Sequence, residues 1–187
     1  MVAPSFPFHF KTFTIMHPDI SNIFQILHNT PQVIDKLLYQ LDDTITNSNE
    51  GEYTWTAREV VAHLIVCEET NWLPRIKIIV HQTELLFSPI DMEAHFTMAK
   101  RFTLSNLILK FTILRRLSLQ ELKGMQLQAN DYFKTGLHPV AGTIKLQELL
   151  ATWATHDLTH IAQIARVLAR QHTQQVGNFR QFLKILN

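Results

Sequence analysis

The chain has 187 residues, 46% of them hydrophobic and 18% charged, with a formal net charge of +1, which suits one globular domain with its own core. A balance so near zero provides no basic field for a phosphate backbone, so nucleic acid is not an expected partner. The single cysteine, Cys67, excludes an intramolecular disulfide and fits a reducing, cytoplasmic setting, and no uncharged apolar run approaches the roughly 20 residues that cross a bilayer.

Met1–Ile15 is apolar and aromatic but broken by Pro4 and Pro7, without a basic leader or a small-residue cleavage site, and reads poorly as a signal peptide. The expectation is that translation begins at Met16, with residues 1–15 a flexible extension and residues 16–187 one domain. Ile20, Ile23, Phe24, Ile26 and Leu27, then Val33, Ile34, Leu37, Leu38 and Leu41, predict a first helix over about Pro18–Leu41. Thr30-Pro31 between the two sets suggests a kink or restart there. A second helix opens on Thr56 and Glu59, which have capping-box spacing. Val60, His63, Leu64, Cys67 and Asn71 share one face of it, and it runs to about His81 with a kink at Pro74.

Pro89–Arg101 is ambiguous and long for a plain connection, which suggests a crossover. The third helix carries Leu104, Leu107, Ile108, Phe111, Leu114, Arg115 and Leu117 as a stripe and ends near Leu122. Gly136–Gly142, with His138-Pro139, reads as a loop, and the fourth and longest helix spans about Ile144–Gln171. A short fifth helix is expected over Phe179–Leu186. The fold class is therefore all-α: a four-helix bundle with a long crossover between helices two and three and a short extra C-terminal helix.

Ten histidines are present, and one pair is informative. His156 and His160 lie four residues apart, about 40° in azimuth and about 6 Å in rise on a helix, so two imidazoles can meet one ion at about 2.0–2.1 Å each. They belong to a stripe of Leu149, Trp153, His156, His160, Ile164 and Val167 that is otherwise apolar and must be buried. Buried neutral imidazoles need partners for both ring nitrogens, and a metal supplies one. His63 repeats the situation on the second helix, and facing helices of a bundle are where metal sites are built. The competing reading is that each is a satisfied core histidine. His9, His17, His28, His81, His95, His138 and His172 share no face with the trio and receive no role.

Trp55-Thr56, Val60, Val61-Ala62-His63-Leu64, Glu68 and Trp72 resemble the second-helix signature of the DinB-like superfamily, in its small-domain group. Thr30-Pro31-Gln32-Val33 resembles that group's first helix. His138-Pro139 and the run from Leu149 to Ile164, with His156-Asp157-Leu158-Thr159-His160 at its centre, resemble its later blocks, so the likeness spans about residues 18–186. It implies a four-helix bundle in which three histidines, matching His63, His156 and His160, bind one divalent ion. Relatives include bacterial thiol transferases that use bacillithiol or mycothiol. The chain departs from the group at Gly177-Asn178-Phe179, where Gly-Pro-Trp is usual, and at Lys145, where a threonine is usual and where Thr143 is expected to cap instead.

The expected cofactor is thus one divalent transition metal, zinc or nickel first, although a three-histidine set also suits iron and copper. The expected partners are a small-molecule thiol and an electrophilic substrate, and a second copy of the chain in a homodimer; no membrane is expected. Metal-dependent hydrolysis and a metal-stabilised bundle without catalysis are the alternatives. Asp157 stands where a zinc-protease helix carries its glutamate base, but an aspartate reaches less far, and it is expected beside the site or on the solvent side. Cys67, one turn after His63, is either a fourth ligand that closes the site or a small buried hydrophobe.

Overall fold

The computed structural model describes residues 20–82 and 86–187; the expected extension 1–15, the start at Met16 and Pro18 lie outside these. Among the described residues seven α-helices follow in order: α1 (Ile20–Leu38), a single turn α2 (Asp43–Thr46), α3 (Ala57–Thr70), α4 (Trp72–His81), α5 (Ala94–Arg101), α6 (Leu104–Gly124) and α7 (Leu146–Arg170). The bundle is made by α1, α3 with its continuation α4, α6 and α7. Both α1 and α3 pack against α6 and α7, which places α1 and α3 on opposite corners.

Local chemistry explains most helix ends. Thr56 Oγ1 accepts the Glu59 N–H at 3.1 Å while Glu59 Oε2 accepts the Thr56 N–H at 2.8 Å, the reciprocal box expected from the sequence. Thr103 caps α6 by accepting from the Asn106 N–H. Thr143 does not cap α7: the helix starts at Leu146 after Lys145, whose N–H is taken by Glu148 Oε2 at 2.8 Å. The second helix is interrupted at Asn71 rather than at Pro74, because Pro74 lacks the N–H that would bond the Thr70 carbonyl one turn earlier.

The restart expected at Thr30-Pro31 is absent, and α1 runs through Pro31 without a break. Proline has no N–H for the carbonyl four residues back, here that of Leu27. Arg115 Nη1, from α6, donates to this carbonyl at 2.9 Å, so the ladder is completed from outside the helix.

The residues between α4 and α6 contain α5, which packs along α3. With α6 and α7 on its other sides, α3 is covered all round. Accordingly it buries Ala57 and every residue from Val60 to Glu68, as a helix with no solvent face must. The segment read as a loop holds a hairpin, Thr135–His138 paired antiparallel with Gly142–Lys145. Gly136 is required in it, since a Cβ there would come within 2.5 Å of the Phe87 ring. At the C-terminus two short 3-10 helices, Gly177–Phe182 and Lys184–Leu186, stand where one short helix was expected. Leu117, counted in the buried stripe of α6, is 48% exposed.

Arg115 lies at the centre of the bundle, 1% exposed, with Glu68 at 4% and Asp157 at 0%. Its Nε and Nη2 donate to Glu68 Oε1 at 2.9 and 2.7 Å. Nη1 and Nη2 donate to the two oxygens of Asp157, a planar fork meeting a planar carboxylate. Trp153 Nε1 adds a third bond to Glu68 Oε1 at 3.1 Å. The guanidinium also lies 4.9 Å from the Phe111 ring and 5.1 Å from that of Trp153, touching both apolar clusters of the core.

Removing one partner of such a buried set leaves uncompensated charge, at a cost of about 3–5 kcal/mol. Arg115→Ala is expected to lose about that much stability in urea denaturation, and Arg115→Lys to recover little of it, because one ammonium cannot reproduce the fork. A loss below about 1 kcal/mol in Arg115→Ala would contradict a structural role for the set.

Candidate metal centre

His63 sits in the second turn of α3, on the face turned toward α7, and His156 and His160 occupy successive turns of α7. The structure brings the three together. His63 Nε2 lies 3.2 Å from His156 Nε2, and His156 Nε2 lies 3.1 Å from His160 Nε2. Two nitrogens bound to one ion at about 2.0–2.1 Å with tetrahedral angles stand about 3.3 Å apart, so the spacing is that of a shared ion. His63 and His160 are buried and His156 half-buried.

His160 Nδ1 is 2.8 Å from Gln163 Oε1, an acceptor that keeps the proton on Nδ1 and the lone pair on Nε2, as an outer-shell partner does for a ligating imidazole. Three converging Nε2 atoms cannot all be satisfied by one another when one of them carries no proton. A cation at their centre satisfies all three, and the donor set therefore fits a divalent transition metal.

Electrostatics agree. Burial pushes His63 down from its ordinary 6.5 to about 3, reinforced by His160 and His95. Burial likewise pushes His156 down to about 3, reinforced by His160, His63 and Arg115. His160 is lowered by burial against the raising effects of Gln163 and Asp157. All three are held neutral, the form that ligates.

Among the described residues the group contains no fourth histidine, cysteine or carboxylate. Cys67 Sγ is 3.5 Å from His63 Nε2 but does not belong to the group, and burial, with Glu68 beside it, pushes its thiol up to about 12. It is a buried thiol at the wall. Asp157 faces neither solvent nor the three nitrogens: its carboxylate is held by Arg115, which removes the zinc-protease reading.

The walls are aromatic. Trp55 is parallel to His160 at 6.1 Å between ring centroids and contacts His63 at 4.8 Å. Trp72 meets His156 edge-on at 5.0 Å. Two residues at the site were missed by the sequence reading. Gln163 lies one turn beyond His160, and that spacing could have flagged it. His95, on α5, was set aside because it shares no helix face with the trio. The packing of α5 on α3 brings its ring 5.6 Å from that of His63. His138 does remain elsewhere, its Nδ1 accepting from the Val140 and Ala141 N–H groups at the hairpin turn.

The lowered histidines set the acid limit of the metal-free protein. Between about pH 6.5 and 3 the unfolded chain binds protons at His63 and His156 that the folded chain refuses, so stability falls as pH falls, by about 1.4 kcal/mol per pH unit for each of the two. Urea unfolding of the chelator-treated protein should show a plateau above pH 6.5 and a decline below it that is shallower in His156→Gln. Equal slopes in the two proteins would contradict a buried neutral His156.

No curated protein matches the chain. Among solved structures, that of YfiT from Bacillus subtilis, described as a probable metal-dependent hydrolase with an unusual four-helix bundle topology, aligns with a TM-score of 0.69 at 20% identity. The alignment covers 81% of this chain and 86% of YfiT, and it carries the fold. The sequence profile of the DinB superfamily matches residues 26–164, a span that contains His63, His156, His160 and the Arg115 set. The chain belongs to the DinB superfamily.

Proposed function

We propose that the chain is a metal-dependent enzyme in which His63, His156 and His160 hold one divalent ion, zinc or nickel, and leave coordination to an exogenous ligand. The observation that carries this reading is the convergence of three neutral Nε2 atoms at 3.1–3.2 Å steps with no fourth protein donor in the group. Three protein ligands with an open position are the arrangement of catalytic rather than structural centres. An ion bound there supplies Lewis acidity and lowers the pKa of a water or thiol that reaches it.

The chain's own residues bind, orient and exclude. Gln163 fixes the tautomer of His160, and Trp55 and Trp72 cover the imidazoles from water. Such low-dielectric walls favour a weakly hydrated ligand over a strongly hydrated one. A low-molecular-weight thiol fits that preference and the softness of the ions that imidazole selects, so transfer of a thiol to an electrophile is the favoured reaction. Hydrolysis is the second reading, favoured by the likeness of fold to YfiT, itself described as a probable hydrolase.

Cobalt-loaded protein in a Cys67→Ala background tests both levels. One ion per chain is expected in plasma mass spectrometry, falling to background in His156→Ala/His160→Ala. Full occupancy of that double variant would overturn the metal assignment. Titration with small thiols should then produce an intense sulfur-to-metal charge-transfer band. Metal-loaded protein that gives no spectral response to any thiol would remove thiol transfer and leave hydrolysis as the reading to pursue.

A further inference from the structure

His95 stands beside the proposed centre on an element that contributes no ligand. Its ring is 1% exposed. It lies against Trp55 at 4.3 Å and Phe96 at 4.0 Å between ring centroids, and edge-on to His63 at 5.6 Å. Trp55 therefore contacts His63, His160 and His95 at once. The nitrogen of His95 is too far from at least one of the three ligand atoms to complete the set, so the residue adjoins the centre without belonging to it.

The two ring nitrogens of His95 differ. The Met92 backbone hydrogen-bonds the imidazole in the sense that favours its N–H, so a carbonyl accepts from the ring. Nε2 is buried and has no partner, and Nδ1 is thus the donor to Met92. In the neutral ring Nε2 then carries an unused lone pair. A buried acceptor left unpaired is destabilising and calls for an explanation in a folded protein.

We propose that His95 Nε2 is the hydrogen-bond acceptor for the exogenous ligand at the three-histidine centre, so that the site selects ligands carrying an N–H, O–H or S–H group next to their metal-binding atom over those without one. This assignment rests on the reading of an open metal centre. It makes α5 part of the ligand-binding apparatus, delivered by the crossover segment. Bound ligand pairs the lone pair of His95, and an aprotic ligand leaves it buried and unpaired.

The test compares acetohydroxamate with its N-methyl derivative, which differs in the one N–H, by calorimetric titration of the zinc-loaded protein. Three forms are used: the unmodified chain, His95→Phe, which keeps the ring bulk without an acceptor, and His95→Gln, which places an amide oxygen near the Nε2 position. The unmodified chain should favour the N–H ligand by about tenfold more than His95→Phe does, the difference made by one hydrogen bond, and His95→Gln should restore part of that preference. Zinc content should remain one per chain in all three. An unchanged preference in His95→Phe, with zinc still bound, would overturn the role of His95 while leaving the metal centre standing. Loss of zinc in both His95 variants, each still folded by circular dichroism, would make His95 a ligand and overturn the acceptor role. Zinc retained in His156→Ala/His160→Ala would instead remove the centre on which the role depends.

Discussion

A charged side chain in the middle of the bundle sets the register of everything around it. Arg115 can be buried only because every face of its guanidinium is engaged: Glu68 from α3, Asp157 from α7, the Leu27 carbonyl of α1, and two aromatic rings. Hydrophobic packing alone tolerates some sliding of helices past one another, whereas a bidentate ion pair does not. Asp157 directly follows His156, and Glu68 is five residues beyond His63, so the contact that locks α3 to α7 is made about a turn from the place where their histidines meet.

That arrangement separates two kinds of buried polarity. In the knot around Arg115, charge is kept and compensated. At the histidines charge is suppressed, because burial and mutual repulsion hold His63 and His156 near 3. The stacked pair Trp72 and Trp153, parallel at 5.8 Å, touches both environments. Trp153 donates to Glu68 while Trp72 presents its ring to His156, so each environment is finished by one member of the same stacked pair.

Much of this could be read from residue order. Helical periodicity located the four long helices, because amphipathic stripes are imposed by burial and are written locally. The i, i+4 spacing of His156 and His160 within an apolar stripe marked the pair that the structure gathers with His63, for the same reason. His63 needed the additional inference that its helix faces theirs, and the structure places it there. The hairpin was missed because four-residue strands around Gly136 and Gly142 carry no period to detect, and their pairing is a tertiary matter. Arg115 was visible as a member of a stripe, but nothing in its neighbours announces partners 42 and 47 residues away. His95 was dismissed by a criterion of shared helix face, which fails when a short crossover helix is laid across the site.

The proline in α1 has one more implication. A helix normally owns its hydrogen bonds, and its persistence is a local property of its sequence. At Pro31 that ownership is broken, because the bond that closes the turn belongs to Arg115 on α6. The continuity of α1 across residue 31 is therefore a product of assembly. A detached segment 20–38 should fray at its middle, and in the folding chain the two halves of α1 should come into line only as α6 docks. Helix α1 would be among the last to be finished.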